Sequence, residues 1–473
     1  MTECIPEQLE FHALGRRRIT GRFDGGNISS DGGGTLLREA DLRIGLSERV
    51  AACFHDYRNP NSVEHDVRTL IAQRVFGVAL GCEDLNDHDV LRADSVLAML
   101  VGKRDVTGSE RIREQDRGHP LASSSTLNRL ELSEPGAASD SRYKRIAADT
   151  EALDRLFVDW FIESHAKPPR EIWLDLDATD DPLYGRQEGR FFHGYYKCYC
   201  YLPLYIFCGE HLLCARLRPS NMDAAAGSEE ELERIVRQIR SHWPKTRIHI
   251  RADSGFCREW LMKWCEDNDI GYVLGLARNS RLTRMLGKHM AEAREAHQHT
   301  GQPARRFGDF LYRTRKSWSR TRRVIGKAEY LSKGENPRFI VTNLKAKRFA
   351  AKRLYEKLYC ARGEMENRIK EQQLGLFADR TSSATMRANQ LRLYFSSLAY
   401  VLLHAVRRIG AAGTEFARAQ CTTLRLKLLK IGVRINVTVR RIWLSYAQNY
   451  PYAEAFMQVL ANLQRHPLWR GAG

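Results

Sequence analysis

"EIWLDLDATDDPLYG", Glu171–Gly185, is the stretch on which the fold turns. Its first nine residues are a short apolar run alternating with Asp, the length and period of a β-strand. In an α/β sheet, chemistry gathers where strands end, and this strand ends in carboxylates. Asp175 and Asp177 share one face, so periodicity does not choose between them. Asp180 and Asp181 follow as further rivals. An Asp in such a place is also an ordinary turn residue or helix cap.

Outward from this strand the texture holds. "GYYKCYCYLPLYIFC" (194–208) and "HLLCARLRP" (211–219) read as two more strands joined by a tight turn. "SEEELERIVRQIRSHW" reads as an amphipathic helix capped by Ser228, with acids in its first turn. "TRIHIRADSGF" (246–256) is a strand, "CREWLMKWCEDN" a helix, and "IGYVLGLAR" (270–278) a strand. Three antiparallel strands followed by parallel crossovers predict a mixed sheet with helices on its faces. Asp253 closes the fourth strand. If the first and fourth strands are neighbours, Asp177 and Asp253 point into one crevice.

A third acid comes from "YCARGEMENRIKEQQ", Tyr359–Gln373, which reads as a helix. Tyr359, Arg362, Glu366, Ile369, Lys370 and Gln373 recur at three- and four-residue steps and lie on one stripe. Taken alone, Arg362, Glu366 and Lys370 are ordinary ion pairs one turn apart, each contributing roughly 0.2–0.5 kcal/mol. Packed across the sheet edge, the helix brings Glu366 to Asp177 and Asp253. Three carboxylates held together repel one another, and a hard cation with oxygen ligands, Mg2+ or Mn2+, relieves them. Two such ions roughly 4 Å apart support phosphodiester chemistry, with Arg362 and Lys370 facing phosphates.

Charge points to the same partner. The 473 residues carry a net charge of +18. Residues 301–360 hold 17 Lys/Arg against 4 acids, and 401–473 hold 11 against 2. Two segregated basic blocks predict a phosphate backbone as ligand. The block after Arg278 alternates aromatic or apolar with basic residues, and reads as a basic β-rich insertion with Arg320, Arg322 and Arg323 as DNA contacts. No apolar run is long enough to span a bilayer, and the start "MTECIPEQLEFHALGRRR" lacks a secretory apolar region. Eleven scattered Cys with no CxxC pair fit reduced thiols in a cytosol better than a zinc site.

Residues 36–157 read as short helices, including "SSSTLNRLEL" with Ser125 as its cap; no spacing places a helix-turn-helix. "SDGGGTLL" lacks the Lys-Ser/Thr ending of a phosphate loop and reads as a turn entering a helix. The expected organisation is a mainly helical N-terminal region (1–157), an α/β core in two parts (168–278 and 347–410), the insertion (279–346) and a basic C-terminal region (411–473).

Taken together these blocks resemble the DDE-class transposases of bacterial insertion sequences, most closely the insertion sequence thirteen-eighty group, related to the insertion-sequence-four branch. "WLDLDATDDPLYG" is similar to the first-Asp block and favours Asp177 over Asp175. "RADSGF" is similar to the second, giving Asp253, and Tyr359-x2-Arg362-x3-Glu366 to the third, giving Glu366 with Tyr359 and Arg362 as DNA or phosphate contacts. The branch's Lys seven residues after the Glu is replaced here by Gln373, with Lys370 one turn after Glu366. The resemblance implies a ribonuclease-H-like fold and two Mg2+ or Mn2+ ions held by Asp177, Asp253 and Glu366. It implies DNA binding and dimerisation by the N-terminal region and catalysis by the core. It implies binding of the element's terminal inverted repeats, nicking that frees 3′-hydroxyls, and their direct attack on target DNA. A homodimer joining two ends, at work on the nucleoid in a bacterial cytoplasm, is the implied assembly. Two rivals stand beside it: a metal-dependent nuclease of the same fold, and a transposase-derived DNA-binding protein that no longer cuts.

Overall fold

The computed structural model describes residues 8–132 and 145–471. These divide into two compact units. The first, formed by residues up to Ser47, Asn59–Asn128 and Ala405 onward, draws on both ends of the chain. It contains the helices Thr35–Ile44, Val67–Leu80 and Ala453–Arg465 and a hairpin of Val433–Val437 with Ile442–Tyr446, to which Ile28–Ser29 adds a third strand. The glycine run is a close-packing device within this unit. A Cβ on Gly33 would lie 1.9 Å from the carbonyl oxygen of Leu428, so only glycine lets the two backbones meet. "SSSTLNRLEL" starts its helix at Ser124, with its amide and hydroxyl donating to Asp89. Ser125 therefore lies inside the first turn rather than capping it.

The second unit, Glu48–Arg58 and Arg129–His404, carries the large sheet. Its strands are β1 (Glu171–Ala178), β2 (Leu204–Cys208), β3 (His211–Arg216), β4 (Arg247–Ala252), β5 (Gly271–Leu276), β6 (Ala304–Tyr312), β7 (Arg322–Leu331) and β8 (Arg338–Thr342). They lie in the order β3-β2-β1-β4-β5-β8-β7-β6. β1, β4 and β5 run parallel and the remaining pairs are antiparallel. The first five strands form the mixed ribonuclease-H-like sheet. The insertion is no separate body: β8 pairs with β5, so β6, β7 and β8 continue the same sheet.

Helices α1 (Thr150–Glu163), α2 (Ser228–His242), α3 (Glu259–Asp267), α4 (Ser280–Thr300), α5 (Gly363–Lys370) and α6 (Met386–Ala405) complete the unit. One face of the sheet packs Leu174, Leu176, Ile250 and Leu274 against Leu232, Ile235, Leu261 and Leu282. The other packs Val273, Ile325 and Ile340 against Phe349, Leu354 and Tyr355, which lead into α5. The fold is thus α/β with helices on both faces. Each fully buried aliphatic side chain contributes about 1.5–3 kcal/mol.

Local expectations fail in three places. "GYYKCYCYLPLYIFC" is two strands, because the chain breaks at Leu202–Pro203 and a proline donates nothing to a ladder. Cys198–Tyr201 instead pairs with Phe191–His193 and Asp181–Pro182 as a small separate sheet. α2 starts at Ser228 with Gly227 as its cap, at φ 76°. The 21-residue α4 occupies the start of what reads as a β-rich insertion.

Candidate active site

Strand register delivers two of the acids. β1 and β4 pair in parallel with Arg251 opposite Asp175 and Ala252 opposite Leu176. One residue further on stand Asp177 and Asp253, at adjacent strand ends. Asp253 opens the tight turn Ser254–Phe256, and its carboxylate accepts the amide of Gly255 at 2.8 Å. Asp177 accepts the amide of Ala178 at 3.1 Å. Burial pushes the Asp177 carboxyl up to about 6; Arg362 opposes the rise, and the carboxylates of Asp253 and Glu366 add to it.

The helix supplies the third. Arg362, Glu366, Ile369, Lys370 and Gln373 line the same cleft as Asp177 and Asp253, so the stripe of side chains faces the strand ends. Arg362 stands between acids, 3.0 Å from Glu366 and 3.6 Å from Asp177. Lys370 has no ion-pair partner among the described residues. Gln373 donates to the carbonyl of Asp180 at 2.9 Å. Tyr359 lies beside the cleft wall, over β5, and glycine makes room for it. A Cβ on Gly275 would sit 2.8 Å from the Tyr359 hydroxyl and 2.7 Å from the amide nitrogen of Ser254. The helical run winds as π turns at Leu354–Tyr359 and Glu371–Gly375, on either side of the α turns that hold Glu366. Such turns recur at functional sites.

Other candidates lie elsewhere. Asp175 is 3% exposed and is taken up by Arg251 through two hydrogen bonds of 2.6 Å. Arg322 is buried too, donating to Glu259 at 2.6 Å and Glu266 at 2.7 Å. Arg323 donates to Asp309 and to the carbonyls of Leu344 and Phe349. Arg322 and Arg323, expected as DNA contacts, thus direct their donors to protein partners, Arg322 in a buried setting and Arg323 partly at the exposed Asp309. Arg320 pairs with Glu266 at 3.3 Å but keeps an exposed side chain.

The cleft also has walls that the sequence reading did not single out. Thr179, His193, Tyr195, Tyr196 and Ser254 line it with the acids. The signal was the aromatic run at 191–201, which reads as strand until Pro203 divides it.

Does this set suit a divalent cation? Three hard oxygen donors share one cleft, and burial together with the other two carboxylates pushes one of them, Asp177, up to about 6. That donor chemistry fits Mg2+ or Mn2+. Among the described residues no three acids stand close enough to close around an ion with the side chains as they are. Arg362 occupies the space between them and serves as the counter-charge.

No curated protein matches the chain. A solved structure of the piggyBac transposase synaptic complex with hairpin DNA is similar over 84% of this chain and 79% of that one, at 9% identity and a TM-score of 0.40. A family model described as transposase DDE domain group 1 matches residues 11–468. That span takes in both basic blocks, the sheet and the acid-bearing helix, and the chain belongs to this DDE transposase family.

Proposed function

We propose that the chain binds the terminal inverted repeats of its own insertion sequence, cuts there, and joins the freed 3′-hydroxyls to target DNA. The branch assigned is the insertion sequence thirteen-eighty group. The observation that carries the reading is the meeting of Asp177, Asp253 and Glu366 in one cleft with Arg362 and Lys370. Two Mg2+ or Mn2+ ions held by the three acids would supply an activated attacking oxygen and a stabilised leaving oxygen. Arg362, now paired with Asp177 and Glu366, would be free to turn to a phosphate oxygen were those acids to hold cations. Lys370, with no partner to give up, takes the phosphate contact that the spent Gln373 amide does not offer. Tyr359, packed over Gly275 beside the Asp253 turn, steadies the helix against the strand end.

In the insertion, DNA contact falls to the exposed Arg315, Lys316 and Arg320 in the loop between β6 and β7. The dimer that would hold two ends together, and the division of DNA contacts among the chain's regions, belong to the same proposal.

The test is a duplex carrying the element's terminal repeat, incubated with Mg2+ or with EDTA. Metal-dependent nicking at the repeat boundary followed by joined product, lost in Glu366→Ala, is the expected result. Nicking without joining would make the protein a nuclease. Tight binding with no cleavage in Mg2+ would make the acidic cluster a relic.

A further inference from the structure

The small three-stranded sheet between β1 and β2 is unusual for what it leaves bare. Phe191, Phe192, Tyr195 and Tyr199 are all exposed, from 42% for Phe191 to 83% for Tyr195. Water-exposed aromatics scattered singly need no explanation, but a cluster on one short element does. The sheet is a flap whose tip, Gly194–Lys197, turns beside the acids. Its tip residues Tyr195 and Tyr196 and the neighbouring His193 line the cleft together with Asp177, Asp253 and Glu366. Tyr196 is anchored: its ring packs on His193 at 4.9 Å and its hydroxyl donates to the carbonyl of Ala178 at 3.3 Å. Tyr195 meets Tyr196 edge-on at 5.1 Å and is otherwise 83% exposed. Behind the tip, Phe192 and Tyr199 face each other across the strands at 5.5 Å. The guanidinium of Arg190 lies 3.8 Å over the Tyr199 ring.

Bare π-faces interleaved with cations are the chemistry that holds single-stranded nucleic acid: bases stack on rings while cations follow the backbone. We propose that this flap is a single-strand guide. On it, Tyr195 stacks an unpaired nucleobase next to the phosphate in the cleft, and the Phe192–Tyr199 pair under Arg190 continues the track. This rests on the DNA-cutting reading of the cleft, since a base in that place presupposes a phosphate among the acids. The chemistry is sequence-tolerant, because every base has a π-face. Duplex DNA buries its faces, so the guide acts where strands have separated.

The probe is a forked DNA with a duplex arm and a single-stranded arm carrying 2-aminopurine at the junction, compared with the blunt duplex of the same sequence. Anisotropy reports binding and 2-aminopurine fluorescence reports stacking. Wild type is expected to prefer the fork and quench the probe. Tyr195→Ala should weaken fork binding about tenfold, abolish quenching and leave duplex binding unchanged. Tyr195→Phe should behave as wild type, because the ring and not the hydroxyl stacks. The exposed side chain makes both variants safe for folding. If wild type and Tyr195→Ala bind the fork equally and neither quenches, the guide is overturned while the DNA reading stands. Should neither bind any DNA, that reading fails and takes the guide with it. If Tyr195→Ala instead alters only the monomer–dimer balance of the DNA-free chain, the flap belongs to a second copy and the guide is overturned.

Discussion

Arg251 ties Asp175 to the helix that bears Glu366. Two of its nitrogens hold the Asp175 carboxylate at 2.6 Å, and the third donates to the carbonyl of Leu358 at 2.7 Å. Leu358 lies in the π turn, where backbone carbonyls are released from the ordinary helical ladder. One buried guanidinium therefore joins β1, β4 and the approach to α5. Arg251→Met leaves Asp175 buried and unpaired, and is expected to cost about 3–5 kcal/mol in urea unfolding. Combined with Asp175→Leu, most of that loss should return, and an additive double variant would show that the two side chains do not act as a pair.

Asp253→Asn removes one charge from the acidic cleft while keeping size and the turn-forming acceptor. Cutting of terminal-repeat DNA should fall to background. Binding should survive, and tighten at low salt as repulsion of phosphate falls. Retained strand transfer by this variant would mean that the three acids are wrongly assigned.

The arginines of the insertion divide by burial. Removing Arg315 and Lys316 together should lower the slope of log K against log salt by about 2, with stability unchanged. Arg322→Ala should leave the slope alone and destabilise the fold by about 3 kcal/mol, since it strands Glu259 and Glu266. Measuring both quantities on both variants separates the DNA-facing cations from the structural one.

His249 offers a test by pH. It is buried against Trp173, with Glu171, Arg247, Arg348 and Asp269 around it, and burial lowers its pKa to about 4. The unfolded chain binds that proton near pH 6.5, so the unfolded state gains protons first as pH falls. Stability is full above pH 6.5 and is lost on the way down to about 4. Between pH 7 and 5 this one residue should account for about 2 kcal/mol of the loss. His249→Gln should reduce the fall across that window by this amount, as read from urea midpoints at the two pH values.

Much of this site was legible because its signals are periodic. Alternation located β1, and three- and four-residue steps placed Arg362, Glu366 and Lys370 on one stripe. The choice between Asp175 and Asp177 was closed to periodicity, since both share a face. What separates them is a partner 76 residues away, the guanidinium of Arg251. Arg322 misled for the same reason. A charged residue in a basic run reads as surface, and only the tertiary fold shows that Glu259 and Glu266 meet it inside. α4 was missed because its span was read as part of the basic block after Arg278, and the flap because an aromatic run read as one strand is divided at Pro203.

The joining of β8 to β5 has a consequence for how the molecule can be altered. Removing the insertion would leave the length of β5 with unpaired amides and carbonyls, beside Val273 and Leu274, and a bare strand of that kind recruits other chains. The insertion is thus a cover for that strand as much as the place of the proposed DNA contact. Variants that shorten it should be sought in the loop between β6 and β7, where the ladder loses nothing.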